Sequence, residues 1–293
     1  MGHKTGSLVY QVEKALTSKS VAGQKKHDAK QQARASARAK GETGPVRLAG
    51  IYSYTTLRGY MDKCVRFARW AQAEHGCRTL ADCRQYTAEY LQTCKSASTA
   101  TAVRSAMAKL YGCKGDELGP VPTRHRADIT RSRGDRQMDR HFSEERNREL
   151  VDFCKATGLR RSELRSLRGD DLDRRADGLY IHVRSGKGGR ERYAPVRPEG
   201  RDVVERLCQR AGSGQVFGRI HAAADVHGYR ADYATALYRM HARPLDACKA
   251  DGSVMWLRGD RKGQWLDKAA AMVVSEALGH SRLSVVAEHY IKL

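Results

Sequence analysis

Six side chains that can bind a phosphate or react at one are distributed over the second half of the 293-residue chain. They are two arginines, two histidines, a lysine and a tyrosine: Arg160, Lys187, His227, Arg230, His280 and Tyr290. Guanidinium groups bind non-bridging phosphate oxygens through paired hydrogen bonds, and imidazoles add donors near neutral pH. A tyrosine can act as a nucleophile, and a lysine can protonate a leaving oxygen. The set therefore predicts phosphoryl transfer without a metal.

The first two of these residues lie next to predicted turns. Arg160 is in TGLRRSELRSL, where Gly158 ends one helix and another begins. Lys187 is in SGKGG, a glycine-rich turn between alternating segments at 179–184 and 190–196. Two alternating segments around such a turn predict a β-hairpin with Lys187 at its tip.

The other four lie on predicted helices or beside them. His227 and Arg230 are three residues apart in a helix predicted for 227–240, so they share one face. The closing stretch EALGHSRLSVVAEHYI predicts two helices that meet at a tight corner. His280 is expected in the corner and Tyr290 on the last helix.

Charge indicates the partner. The chain has 54 Lys and Arg against 33 Asp and Glu, a formal net charge of +21 and a pI of about 9.9. A surplus of this size along the whole sequence favours a polyanionic partner, with DNA or RNA as the first candidate. No apolar run is long enough to span a bilayer, and no signal peptide is recognisable. We therefore expect a soluble cytoplasmic protein without a membrane partner.

Composition predicts four segments. Residues 1–46 read as a basic arm, flexible or helical, and 47–112 as an all-helical domain. Residues 113–140 read as a basic linker, and 141–293 as a second domain, which contains all six residues. The predicted fold class is mainly α with small β-hairpins, the second domain being α+β.

The eight cysteines include no CxxC pair and are expected to be reduced, mostly buried thiols. A zinc site from His75, Cys77 and Cys83 is conceivable but lacks the usual ligand spacing. We expect no metal and no cofactor.

The motifs TGLRRSEL, SGKGGRER, HGYR, ALGH and the tyrosine near the C-terminus resemble, in this order, those of tyrosine recombinases, the phage integrase family. The resemblance identifies Arg160, Lys187, His227, Arg230 and His280 as catalytic and Tyr290 as the nucleophile. It also places Glu163 beside the first arginine as a structural partner. It extends to the helical domain, which resembles the family's core-binding domain, and so covers all but the arm.

The resemblance implies a site-specific recombinase of double-stranded DNA that forms a 3′-phosphotyrosine and a Holliday junction. The implied assembly is a tetramer on two sites and a monomer or weak oligomer when free of DNA. The core-binding and catalytic domains would lie on opposite sides of each duplex. The implied accessory partners are an excisionase or host DNA-bending proteins, and the arm would bind separate DNA sites. The chain is similar to integrases of conjugative and other mobile elements of Gram-positive bacteria, which implies integration and excision of such an element at the bacterial nucleoid.

Four features depart from the family pattern. Ala231 replaces a frequent histidine after Arg230, and the spacing from His280 to Tyr290 is one residue longer than usual. A second hairpin is predicted from 254–257 and 264–266, as an insertion. Because only three residues follow Tyr290, either the contact between subunits is expected elsewhere, with the inserted hairpin as one candidate, or the assembly is expected to be weak.

Several alternatives stay open. Arg161 is the rival of Arg160 for the first arginine role. A type IB topoisomerase would use the same chemistry to relax supercoils. A DNA-binding protein without catalytic activity would explain the positive charge but not the complete set of six residues. A helical scaffold would leave the charge unexplained.

Overall fold

The computed structural model describes residues 6–44, 46–125, 142–187 and 189–292. The chain divides into two compact units, unit 1 (Met1–Arg124) and unit 2 (His125–Leu293). No helix within these described ranges is long and apolar enough to cross a membrane.

The described part of unit 1 is mainly helical and has one isolated β-bridge, between Ser20 and Ile51. Its helices are α1 (Leu8–Thr17), α2 (Lys26–Ala39), α3 (Tyr54–His75), α4 (Leu80–Arg84), α5 (Thr87–Gln92) and α6 (Ala97–Tyr111). Serine side chains cap the long helices: Ser53 accepts from Thr56 N, and Ser96 accepts from Thr99 N. The apolar face of α3 packs against α1 and α6, and its residues Cys64 and Phe67 are fully buried.

The first helix is part of the core of unit 1, which differs from the expectation that residues 1–46 form an arm outside the helical domain. Leu8, Val12 and Leu16 are at most 3% exposed. Their four-residue spacing forms one apolar stripe, but it is short and lies in a polar, basic stretch. Lys19 then donates to the carbonyl oxygens of Lys109 and Leu110 from 2.6 and 2.7 Å, at the end of α6. In contrast, α2 buries no residue.

The predicted linker 113–140 is described only in part. Residues Gly115–Leu118 form a 3₁₀ turn whose Leu118 is buried in the core of unit 1. Residues 126–140 lie outside the described part of the chain.

Unit 2 combines helices with two small sheets. Its helices are α7 (Arg148–Thr157), α8 (Arg161–Ser166), α9 (Arg201–Ala211), α10 (Val226–His241), α11 (Leu245–Ala250), α12 (Lys268–Leu278) and α13 (Leu283–His289). Its strands are β1 (Leu172–Arg175), β2 (Gly178–Val183), β3 (Arg192–Pro195), β4 (Val254–Trp256) and β5 (Trp265–Asp267). The predicted fold class is confirmed.

Both predicted hairpins are present. Strands β2 and β3 pair antiparallel, with Ile181 opposite Ala194, and β4 pairs with β5, with Met255 opposite Leu266. Sequence analysis missed β1, which pairs with β2 and completes a three-stranded sheet. Its sequence LDRR has no alternation of apolar and polar residues, because the strand is an edge with exposed arginines.

Unit 2 has two apolar clusters, both of which reach α10. One lies among α7, the three-stranded sheet and α9, and it includes Phe153, Ile181 and Tyr229. The other packs α10 against α12 and α13, and it includes Leu278 and Tyr290. Helix α10 thus joins the elements at which the predicted site residues lie.

Candidate active site

Arg160 follows the turn that ends α7 and occupies the N-cap position of α8. The turn requires glycine at position 158, where φ is +60° and a Cβ would lie 2.3 Å from the ring of Tyr233. Arg160 Nη1 donates to Glu163 Oε1 at 2.7 Å, and its backbone N–H donates to Glu163 Oε2 at 2.8 Å. The backbone bond holds the Glu163 carboxylate at the start of α8, and the side-chain bond orients the Arg160 guanidinium against it.

Glu163 lies between two arginines. Its carboxylate is buried, and it accepts two further bonds, at 2.8 and 2.9 Å, from Arg192 on β3. Burial by itself would raise the pKa of Glu163, but the bonds and charge of Arg192, together with the bonds from Arg160, lower it to about 2. The carboxylate is therefore ionised at neutral pH and orients both guanidinium groups.

Arg230 is the most deeply buried cation of the site, at 1% exposure. It lies on the second turn of α10 and donates to the carbonyl oxygen of Gly158 and, at 2.6 Å, to that of Leu278. Burial, followed by the charge of Arg160, lowers its pKa to about 10. It remains charged at neutral pH, and its Nε has no acceptor among the described residues.

His280 lies in the predicted corner, two residues after the end of α12. Gly279 makes the corner with φ +65°, and a Cβ there would lie 2.9 Å from Arg192 Cδ. His280 Nε2 is 3.4 Å from Arg160 Nη2 and 3.5 Å from Arg230 Nη2. Since a guanidinium can only donate, Nε2 accepts and the ring proton is on Nδ1.

The pKa of His280 agrees with this assignment. Burial, followed by the charges of Arg230, Arg160, Arg192 and Lys187, lowers it to about 4. The imidazole is therefore neutral at pH 7.

Tyr290 lies directly after α13 and not within it, one residue beyond the end of the helix. Its ring centroid is 5.1 Å from those of His227 and His280, and 5.4 Å from Arg230 Cζ. The residue is 7% exposed, and His227 beside it is exposed to solvent. The predicted nucleophile thus lies against two histidines and one of the arginines.

Lys187 lies on the turn between β2 and β3, as predicted, and its side chain is exposed. Its charge contributes to the low pKa of His280, so the turn lies near enough for its charge to affect the site. The structure gives it no hydrogen bond to the other five residues within the described part of the chain.

The rival arginine has a different place. Arg161 donates to the carbonyl oxygens of His221 and Ala222, at 2.8 and 3.2 Å, and to that of Ala224. It therefore holds the loop that leads into α10, whereas Arg160 faces His280.

Three residues of the site were missed by sequence analysis. Arg192 holds Glu163 and also donates to the carbonyl oxygen of Ala277 at 2.9 Å. Thr235 on α10 donates to the carbonyl oxygen of Tyr290 at 3.2 Å. Arg261, between β4 and β5, donates to the carbonyl oxygens of Ala287 and Ile291. Only Arg192 had a usable signal, since it follows the lysine turn in the arginine-rich stretch SGKGGRER.

The considered zinc ligands are not arranged as a metal site. His75 stacks on Tyr86 with ring centroids 3.7 Å apart. Within the described ranges, no group of three or more His, Cys, Asp or Glu side chains could hold a metal ion. Six of the eight cysteines are buried and the other two are half-buried.

Comparison with known proteins bears on this arrangement. Residues 136–223, which include Arg160 and Lys187, match the phage integrase family. The chain carries a domain of the phage integrase family, that is, of the tyrosine recombinases. The resemblance drawn from the motifs is thereby confirmed.

This phage integrase domain has relatives of known name. Over 65 residues the chain is 40% identical to tyrosine recombinase XerC of Bacillus licheniformis, a match that covers 22% of this chain and 20% of XerC. The matched segment thus spans only a fifth of that relative.

Two solved structures share the fold. The XerH site-specific recombinase bound to difH substrate, in a pre-cleavage complex, has a TM-score of 0.50 and 16% identity, covering 96% of this chain and 91% of that one. The post-cleavage complex of XerH with palindromic difH substrate has a TM-score of 0.53 and 14% identity, covering 98% and 94%.

Proposed function

We propose that this protein is a site-specific DNA recombinase that cuts and rejoins strands through a covalent bond between Tyr290 and a DNA 3′-phosphate. One observation carries the proposal: Arg160, Arg230 and His280 meet within 3.5 Å at a point that the Tyr290 ring also lines. Two guanidiniums and an imidazole beside a tyrosine suit a phosphodiester whose charge increases as it becomes pentacoordinate.

The chemical step follows from this arrangement. A DNA phosphate accepts hydrogen bonds from Arg160 and Arg230, including one from Arg230 Nε, which has no acceptor among the described residues. Tyr290 Oη attacks phosphorus and loses its proton to one of the neighbouring imidazoles. The bond to the 5′-oxygen breaks, and Lys187 protonates that oxygen. Attack by the 5′-hydroxyl of a partner strand reverses these transfers and releases Tyr290.

Charge and relatives support DNA as the substrate. The net charge of +21 favours a polyanion. The relatives are named as a tyrosine recombinase and as a site-specific recombinase bound to its difH substrate. We place the contacts to duplex DNA on both units, with unit 1 as the core-binding domain.

The finer proposal is the integration or excision of a mobile genetic element. The exchange would proceed through a Holliday junction in a tetramer on two DNA sites, with an excisionase or host DNA-bending proteins as accessory partners. This finer proposal rests on the resemblance of the motifs and on the inserted hairpin at 254–267.

A covalent trapping experiment tests the proposal. Duplexes from both flanks of the gene, nicked near each candidate cleavage point, are mixed with protein in EDTA and run on a denaturing gel. The nick releases a short fragment that diffuses away, so the covalent complex accumulates. We expect a protein–DNA band that survives SDS with the wild type and is absent with Tyr290→Phe, which retains DNA binding.

The other outcomes identify the alternatives. Salt-sensitive binding without a band, on flanking DNA and on a library of random duplexes, would contradict the proposal and favour a DNA-binding protein without catalysis. A band on many unrelated duplexes, with relaxation of supercoiled plasmid, would favour a topoisomerase. Absence of salt-sensitive DNA binding would favour a helical scaffold.

A further inference from the structure

One arginine of the inserted hairpin, β4–β5, binds the backbone of the segment that carries Tyr290. Arg261 lies in the turn between β4 and β5 and is 7% exposed. Its Nη1 donates to the carbonyl oxygen of Ala287 at 2.6 Å and to that of Ile291 at 3.2 Å. These two carbonyls lie on either side of Tyr290 in the sequence, so a single guanidinium bridges the nucleophile's backbone.

The segment needs such support because its helix is short. Helix α13 has seven residues, and the last carbonyls of a helix have no partner within it. Tyr290 N and Ile291 N both donate to Val286 O, at 3.0 and 3.1 Å, so they share one acceptor. Without a further contact this end would fray and move the phenol.

The guanidinium of Arg261 is itself fixed. Its Nε donates to Gln264 Oε1 at 2.7 Å, in the same turn of the hairpin. The hairpin is in turn closed by the β4–β5 ladder, in which Trp256 lies opposite Trp265. Because Arg261 is fixed in the hairpin, its two bonds hold the backbone on both sides of Tyr290 in a set position relative to the hairpin.

A second element holds the same segment from the other side. Thr235 Oγ1 on α10 donates to Tyr290 O at 3.2 Å and accepts from Lys292 N at 3.0 Å. Lys292 Nζ lies 3.1 Å from Asp232, also on α10. The nucleophile is thus fixed between α10, which also carries Arg230, and the hairpin.

We propose that Arg261 is a positioning residue for the nucleophile, which holds Tyr290 at the distance and angle that attack on the DNA phosphate requires. The inference rests on the proposed function of Tyr290. Arg261 touches neither the DNA nor the reacting atoms in this role. Its removal should slow the covalent step and leave DNA affinity unchanged, since misplacing a reacting group by about 1 Å can cost about 10²-fold in rate.

The test compares four variants. Arg261→Gln removes the bridge, Arg261→Lys keeps the charge and a donor nitrogen but loses the Nε bond to Gln264, and Thr235→Val removes the contact from α10. Lys262→Gln is the matched control, because it removes a charge from the same turn but from an exposed side chain. For each variant, the rate of covalent complex formation is measured at saturating nicked duplex, with the Kd for DNA and the Tm measured separately.

We expect Arg261→Gln to lower the covalent rate about 10- to 100-fold with Kd within about twofold of wild type. Arg261→Lys should recover part of the loss, Thr235→Val should lower the rate without changing Kd, and Lys262→Gln should retain the wild-type rate. A wild-type rate in Arg261→Gln would overturn the inference, and so would a loss explained entirely by weaker DNA binding or by unfolding at the assay temperature.

Amide hydrogen exchange supplies a readout that needs no activity. In the free protein, exchange at Tyr290, Ile291 and Lys292 should be at least tenfold faster in Arg261→Gln than in Lys262→Gln. Unchanged exchange would overturn the inference. Faster exchange together with a wild type that forms no covalent complex would reject the proposed function but support the role of Arg261 in holding the segment.

Discussion

Arg160 and Arg230 donate to the same backbone oxygen, that of Leu278, from 3.1 and 2.6 Å. This carbonyl ends α12, two residues before His280, whose Nε2 both arginines also approach. The two guanidiniums are thus set side by side by the end of a helix that neither of them belongs to. In the proposed reaction, a DNA phosphate would meet donors whose positions are already fixed, which lowers the cost of organising the site.

The buried arginine should not tolerate replacement by lysine. Arg230→Lys retains the charge, but an ammonium lacks the planar, forked donors of a guanidinium. It cannot bind the carbonyls of Gly158 and Leu278 and a phosphate at the same time. We expect the covalent rate to fall about 10²- to 10³-fold. Trapping on nicked duplex measures the rate, and Arg239→Lys, on an exposed position of the same helix, is the control. Equal rates for the two variants would contradict the role of Arg230.

Glu163→Gln should destabilise unit 2 because it leaves Arg160 and Arg192 without their shared carboxylate. Removing the charge of one partner in a buried ion pair lowers the free energy of unfolding by about 3–5 kcal/mol. Urea unfolding at pH 7 measures this cost. Glu149→Gln is the control, since Glu149 is exposed beside Arg206 and Arg210 and its loss should cost at most about 1 kcal/mol.

The difference between wild type and Glu163→Gln should depend on pH. Because the folded-state pKa of Glu163, about 2, is below its ordinary value of 4.5, the carboxylate stabilises the fold above pH 4.5. That contribution is lost as pH falls from 4.5 through about 2. Unfolding free energies measured at several acidic pH values should converge for the two proteins, and a constant gap would contradict the assignment.

His280 should titrate far below an ordinary histidine. Its folded-state pKa of about 4 lies under the ordinary 6.5, so the unfolded chain binds a proton first as pH falls. Its contribution to stability is therefore complete above pH 6.5 and is lost between 6.5 and about 4. NMR titration, with the His280→Asn variant used for assignment, measures the midpoint in the free protein.

Binding of an oxyanion should raise that midpoint. A phosphate placed between Arg160 and Arg230 adds negative charge next to the imidazole and favours its protonated form. Repeating the titration with vanadate, or with duplex DNA and Tyr290→Phe protein, should shift the His280 signal to higher pH. An unchanged midpoint with bound DNA would place the phosphate elsewhere.

Lys187 can be tested as the acid through the leaving group. Lys187→Ala should slow cleavage of an ordinary duplex about 10²- to 10⁴-fold, because the 5′-oxygen leaves without a proton. A duplex with sulfur at that bridging position should be cleaved by Lys187→Ala almost as fast as by wild type, since a thiolate leaves unprotonated. Arg190→Ala, on the same exposed turn, is the control. An equal defect on both substrates would show that Lys187 acts otherwise.

Local sequence predicted much of this protein, because local interactions determine the elements concerned. Gly158 and Gly279 end helices where positive φ is required, and both hairpins follow from alternation around a turn. Helix α10 was placed within one residue at each end. The polar average composition of residues 1–46 gave a wrong prediction for α1. Its buried residues Leu8, Val12 and Leu16 lie among polar neighbours and were not recognised as a core face.

The six candidate residues and their order were predicted from the sequence alone, because the motifs around them resemble those of tyrosine recombinases. Only the tertiary structure decided how they meet. Arg160 and Arg230 bind the carbonyl oxygen of Leu278, from which they are 118 and 48 residues away in the sequence. Arg261 binds that of Ile291, which is 30 residues away. The acceptor in each case is a backbone carbonyl. Every residue has one, so no residue type marks it, and it becomes a site partner only when the packing of α10, α12 and α13 brings it there.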